Sequence, residues 1–293
     1  MKALAGFILQ GRAAALLVIT PLAVLPLLQW VSAAAVALVT LRRGPGEGIF
    51  IAGLATVALA AAALIAGAPL ALVLAPVLSV WLPALVGGTT LRLTVSWPHA
   101  LQALSALFLV GMLAFHGIAG DASAYWLSVL EPATDELATR VEDEQELGQA
   151  LELTAAHMTG AMFASMLALS LLGLVLARYW QALLFNPGGF QGEFHALRLH
   201  RGFAATTLVA VLGGYIMGPG VVNDAGTVMI TVFVLQALAV MHALAWHRGW
   251  RSHWLVLVYV LLPLLARPLA FVGLGDVFVD LRQRFTGPKD PPA

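Results

Sequence analysis

Six stretches of this chain, 48–67, 69–91, 98–119, 155–178, 203–219 and 226–246, read as almost unbroken apolar runs. Each approaches the roughly 20 residues that carry a helix across about 30 Å of hydrocarbon. Such runs leave little choice of architecture, because backbone polar groups in lipid must be satisfied within the segment itself. Composition points the same way: 60% of residues are apolar and 10% are charged, against about 25% charged in a soluble domain. The expected fold is all-α, a polytopic transmembrane helix bundle of about eight spans, with residues 1–293 forming a single integral membrane domain.

The count of eight rests on two further apolar stretches, 13–41 and 253–281, each long enough to overshoot a bilayer and each interrupted by a proline pair, Pro21 and Pro26 or Pro263 and Pro268. Proline removes a backbone donor and kinks or breaks a helix. Each stretch is therefore either one tilted, kinked helix or a hairpin of two short segments. Charge bears on the choice. Alternate loops collect Arg42, Arg43, Arg92, Arg178, Arg198, Arg201, Arg248 and Arg251 on one side, which the positive-inside rule places in the cytoplasm. Hairpins at both ends return Lys2, Arg12, Arg282, Arg284 and Lys289 to that side. This favours a break near Pro26 and Gln29 with a cytoplasmic N-terminus; at the other end each half is short for a full crossing. No small-residue cleavage site marks a leader after the first apolar run, and the Leu-, Ala- and Arg-rich, Lys-poor composition suggests a bacterial inner membrane.

Segment 121–152 differs in character. It holds Asp121, Glu131, Asp135, Glu136, Glu142, Asp143, Glu144, Glu146 and Glu152 against Arg140 alone. Leu130, Leu137, Val141, Leu147 and Leu151 give a partial helical stripe, and Pro132 suits a first helical turn. An extracytoplasmic amphipathic helix over 131–151 is expected, with a solvated charged linker as the alternative. Several chemistries are excluded. The chain has no Cys, so thiolate nucleophiles and zinc–thiolate or iron–sulfur ligation are absent. Its zero formal net charge argues against a nucleic-acid partner. It carries neither a GxxxxGK[ST] loop nor a GxSxG elbow. No cofactor is expected, and the expected surroundings are membrane lipid.

The most distinctive stretch runs Arg178-Tyr179-Trp180-Gln181-Ala182-Leu183-Leu184-Phe185-Asn186-Pro187-Gly188-Gly189-Phe190, continuing through Glu193-Phe194 to Leu197-Arg198-Leu199. Aromatic and basic anchors end a membrane helix, and Asn186-Pro187-Gly188-Gly189 is a turn signal. With Gly11-Arg12, Leu38-Val39-Thr40-Leu41-Arg42-Arg43-Gly44 and the closing Gly275-Asp276-x-x-x-Asp280-Leu281-Arg282, the chain resembles the YybS-like family of bacterial multi-pass membrane proteins. Such proteins are similar in architecture to the substrate-binding S components of energy-coupling-factor vitamin transporters. The resemblance implies a small-molecule binder that docks on a partner membrane subunit. S components dock through an alanine ladder; Ala58, Ala62 and Ala66 form one here and Ala33 and Ala37 another, although internal packing explains such ladders equally well.

Other motifs divide between chemistry and structure. Gly273-Leu274-Gly275-Asp276 matches the GxGD pattern of intramembrane aspartyl peptidases, which need a second facing aspartate. Asp121 and Asp224 sit at span ends and Asp280 lies on the same segment, so termination of the last helix is the expected role, and no enzymatic activity is expected. His242 and His247, like His195 and His200, are spaced by five, which does not align ligands on one helical face. His116 and His157 flank the acidic segment, where they bind a cation, sense pH or simply occupy the interface. Polar groups at membrane depth are costly, and broken helices are where transporters hold substrates. Gln29, Trp30 and Arg267 are therefore expected to border one ligand pocket between the first and last stretches. The leading expectation is a small-molecule-binding or transporter subunit; the alternatives are a membrane assembly or scaffold protein and, more remotely, the peptidase.

Overall fold

A computed structural model describes residues 1–138, 144–250 and 253–286. Among them it is an all-α bundle of fourteen α-helices without a strand. Six helical segments are long and apolar enough to cross a membrane: Pro45–Ile65, Ala71–Thr94, Trp97–Ala119, Gln145–Phe185, Val221–His247 and His253–Val279. The helices Lys2–Ile8 (α1) and Arg12–Val24 (α2), bent by 115°, make a seventh if taken together. By length and apolarity alone this counts six or seven of the expected eight or so. Helix α11 (Arg201–Met217) is shorter at 17 residues, and the two proline-bearing stretches behave differently from each other.

The first stretch is a hairpin. Pro26 disfavours helical dihedrals at the residue before it, and Leu25 is accordingly extended, ending α2. A 3-10 turn, Pro26–Leu28, leads into α3 (Gln29–Arg43). The Trp30 indole donates to the Leu27 carbonyl (3.1 Å) and covers the turn. Ser32 donates to Ile19 O (2.8 Å) and accepts from Trp81 Nε1 (3.0 Å), tying both arms to the neighbouring span. Where the arms return, Arg12 forks onto Glu47 (2.9 and 2.8 Å) and Arg43 donates to Leu9 O (2.6 Å). Arg92 also reaches Leu41 O. Four basic and acidic groups thus gather at one end of the bundle.

Helix α3 is the centre of this half, with Ala33 through Val39 at most 3% exposed. It packs against α2, α4 (Pro45–Ile65), α6 (Leu82–Thr94) and α9 (Glu144–Phe185). Its small side chains permit this: lipid supplies little hydrophobic drive between helices, so close approach and dispersion hold them together. A Cβ on Gly173 of α9 would lie 3.1 Å from Trp30 O. The Ala33–Ala37 ladder is therefore internal packing, whereas Ala58, Ala62 and Ala66 face outward. Helix α5 (Ala71–Pro76) passes through a π turn, Val77–Trp81, before α6.

The last stretch is bent without a non-helical interruption. Helical hydrogen bonding continues through both Pro263 and Pro268 in α13 (His253–Val279), yet the chain doubles back over this stretch, as the expected C-terminal hairpin requires. Tyr259 reaches His242 Nε2 (3.3 Å) and Arg248 donates to Phe285 O (3.3 Å), both at the C-terminal end of α12 (Val221–His247). In a membrane helix neighbouring groups and local adjustment can re-satisfy the carbonyls a proline frees. The chain turns again at Asp280, whose φ is +52°, and α14 (Leu281–Thr286) follows. The flanks of α13 thus meet at one end of α12.

The acidic segment is also redistributed. Helix α8 (Ala122–Ala138) carries Pro132 in its interior rather than in its first turn, and α9 starts at Glu144. The expected single helix over 131–151 is thus divided between two packed helices, with 139–143 outside the described residues. The remaining elements are α7 (Trp97–Ala119) and α10 (Gly189–His195).

Candidate functional site

A recess of about 950 Å³ lies between α9, α12 and α13, with Val211 and Tyr215 of α11 at its edge. Its walls follow helical periodicity. Helix α9 presents His157, Ala161, Ala164, Ala168 and Leu171, and α12 presents Asn223, Thr227, Ile230, Val234 and Leu238. Helix α13 contributes Tyr259, Pro263, Arg267 and Ala270. Small residues on α9 leave the space open. Thr227 and Thr231 donate to the carbonyls of Asn223 (3.0 Å) and Thr227 (2.8 Å), so each hydroxyl keeps only acceptor capacity. His157 Nδ1 is engaged by Leu153 O at 2.9 Å, and Tyr259 reaches His242 Nε2 at 3.3 Å. Arg267, near the middle of α13, has no hydrogen bond or ion pair among the described residues. It is the one strong cation among the residues that line the recess.

Gln29 and Trp30 line a different and smaller recess, about 190 Å³, with Ser79, Val80, Met166 and Ser170. Helix α9 stands between the two, turning Met166, Leu169 and Ser170 to one side and Ser165, Ala168 and Leu172 to the other. The expected convergence of Gln29, Trp30 and Arg267 on one pocket is not found. The N-terminal hairpin packs on α9, while α13 packs on α12.

The segment after α9 folds as its turn signal indicates. Gly188 has φ +87°, and a Cβ on Gly189 would fall 2.1 Å from Asn186 Nδ2. Trp180 is fully buried, and Arg178 pairs with Glu193. The chain then docks on the end of α13. Arg198 donates to Asp280 Oδ2 (2.6 Å) and to the carbonyls of Asp276 (3.1 Å) and Val277 (3.3 Å). Arg282 donates to the carbonyls of His195 and Leu197, both at 2.5 Å, and lies 3.3 Å from Asp276 Oδ2. Gln236 bridges the two sides: its amide oxygen accepts from Leu199 N (2.8 Å) and its amide nitrogen donates to Asp276 Oδ2 (3.0 Å). Leu281 N donates to Asp276 Oδ1 at 3.0 Å.

This network accounts for the GxGD residues. Gly273 seats α13 against the Phe233 carbonyl, and Asp276, 0% exposed, caps the turn at the helix end. Burial pushes the Asp280 carboxyl up, but bonds from Arg198 and Gln283 N–H and the charges of Arg198 and Arg282 outweigh it, leaving it below the usual carboxylate range. Burial lowers the Arg282 guanidinium. His195 is lowered by burial and by the neighbouring His242, His247 and Arg282.

At the other end of α12, His116 Nε2 meets Asp224 Oδ2 at 2.8 Å. Nothing in the sequence links these residues, 108 positions apart. The other histidines have their own partners: His200 binds Gln102 (2.7 Å) with its ring 5.1 Å from that of His99, and His195 lies against Trp246 near His242 and His247. Among the described residues no group of three or more His, Asp or Glu is arranged to hold a metal ion. No family model matches the chain, and no curated protein or solved structure is found to be similar to it.

Proposed function

We propose that this multi-pass membrane protein binds a small molecule with an anionic group and an apolar body in the recess between α9, α12 and α13, and that it serves as a transporter subunit rather than an enzyme. The observation that carries this is Arg267. A guanidinium in the middle of an apolar helix needs an anion, carbonyls or an interface, and Arg267 has no partner among the described residues while facing about 950 Å³ of space. Binding recesses of this size are mostly apolar with a few polar groups that fix orientation; here Asn223, Thr227 and Tyr259 supply them. The likeness to YybS-like proteins and S components adds a partner membrane subunit, which the outward Ala58, Ala62 and Ala66 would allow to approach closely.

Thermal unfolding of detergent-purified protein against a panel of carboxylates and phosphate esters tests the reading. A ligand at about 100 times its Kd adds about 2.7 kcal/mol to the native state. Such a compound is expected to raise the wild-type midpoint and to leave Arg267→Gln unshifted. Stabilisation of both proteins alike, or of neither by any anion, overturns the assignment.

The orientation proposed is a cytoplasmic N-terminus in a bacterial inner membrane. Gathering of Arg12, Arg43 and Arg92 at one end of the bundle supports it. In this cysteine-free chain an impermeant maleimide applied to intact spheroplasts should label Ala124→Cys and spare Gln191→Cys; the reverse pattern inverts the topology. One observation favours the assembly-factor alternative: α9 has 42 residues, about 63 Å at 1.5 Å per residue, so with α8 it extends well past a bilayer as a surface for a basic partner.

A further inference from the structure

We propose that His116 and Asp224 form a proton-binding site where α7, α8, α9 and α12 meet. The site does not depend on the ligand assignment above. Asp224 is 2% exposed, its Oδ2 is engaged by His116 Nε2 at 2.8 Å, and its Oδ1 is buried without a partner. The Oδ1 atom is pressed toward Gly160, where a Cβ would lie 2.5 Å away. The glycine makes room for a carboxylate that no other side chain serves. A buried carboxylate is costly unless paired, and here the one pairing group is an imidazole, whose charge depends on a proton. One proton held between the imidazole nitrogen and the carboxyl oxygen neutralises the site. Losing it strands the carboxylate, and gaining another strands the imidazolium, so the two groups titrate as a unit.

The surroundings isolate this proton from other charges. On α7, Phe115 packs beside the imidazole. Helix α8 offers Tyr125 and Trp126 against Phe115, and Asp121 is occupied capping its first turn at Ala124 N. Helix α9 offers His157, bonded to Leu153 O, and Thr159, which accepts from Trp126 Nε1 at 2.8 Å. Helix α11 ends with Tyr215, exposed. No charged side chain other than His116 contacts Asp224 among the described residues. Asn223, next in the chain, lines the large recess, so the proton sits one residue from it.

Proton uptake by purified protein in nanodiscs, measured between pH 9 and pH 5, tests the site. His116→Gln and Asp224→Asn both keep a hydrogen bond across the pair. Each is expected to remove about one proton from the uptake, and the double variant no more than either alone, because the pair acts as one titrating unit. Unchanged uptake in Asp224→Asn overturns the proposal, since a histidine titrating alone, or a fixed ion pair, predicts that result. Should Asp224→Asn fail to fold, Trp126 decides. Its emission, isolated as wild type minus Trp126→Phe, is expected to follow pH over this range and to become flat in His116→Gln. Emission that is flat in wild type, or that follows pH equally in His116→Gln, overturns the proposal.

Discussion

Gly273→Ala is expected to unfold or severely loosen the α12–α13 pair. The added Cβ would lie 2.0 Å from the Phe233 carbonyl oxygen and 2.9 Å from Ala237 N. Both are backbone atoms of a helix and cannot rotate away, so α13 must retreat along its whole contact. Overpacking usually costs about 1–3 kcal/mol and occasionally more, and a collision with main chain belongs at the upper end or beyond. Retreat would also pull Asp276 from Gln236 and Arg282. The control is two residues away: a Cβ on Gly275 meets nothing within 4 Å, and Gly→Ala in an open helical position gains about 1 kcal/mol in propensity. The midpoint of thermal unfolding in detergent should therefore fall by many degrees for Gly273→Ala and hold or rise for Gly275→Ala. Equal effects would mean that the close approach at Gly273 does not govern the packing.

The contrast between these glycines shows where sequence reading stops. The pattern Gly-x-Gly-Asp is visible in one line, but which glycine faces a neighbour depends on the partner helix. The two proline-bearing stretches teach the same point. Both have prolines five apart and both reverse the chain, but by different means. After Pro26 the chain supplies Trp30 to cover the Leu27 carbonyl and Ser32 to join the returning arm. Over Pro263 and Pro268 no non-helical turn forms and the helix continues to Val279, while Tyr259 and Phe285 both come back to the 242–248 end of α12. The helical class, the positions of most spans and the Asn186–Gly189 turn were legible because they rest on local apolarity and backbone chemistry.

The sites were less legible, because each joins residues far apart in the chain. Polarity at membrane depth did single out Arg267, and the recess it faces exists. Gln29 and Trp30 carried the same signal but belong to a separate recess across α9. Depth in a membrane can be read from position in a span; the face of a helix that meets another cannot be read from one sequence. His116 and Asp224 illustrate this most sharply. Each stands near a span end beside a loop, which as sequence suggests an interface residue, and only packing of α7 on α12 brings them together.

Asp276→Ala is expected to be the most damaging polar change in the chain. Its carboxylate takes bonds from Gln236 Nε2 (3.0 Å), Leu281 N (3.0 Å) and Arg282 (3.3 Å), with no exposure to solvent. Removing it leaves the buried Arg282 with one carboxylate fewer and returns Gln236 an unpaired amide. Breaking a buried pair from one side costs about 3–5 kcal/mol. Asp276→Asn should be milder, because the amide oxygen can still accept from Leu281 N while the charge that faces Arg282 is lost. The expected order of unfolding midpoints is wild type, then Asp276→Asn, then Asp276→Ala, with release of the 195–200 segment seen as faster amide exchange at Leu199, whose N–H is held by Gln236. A catalytic aspartate predicts a different outcome: activity would vanish in Asp276→Asn with stability and exchange at Leu199 untouched. Helix end, loop and α12 are joined through this one carboxylate, so a stability loss that spreads to Leu199 is the signature of a strut rather than of a nucleophile's partner.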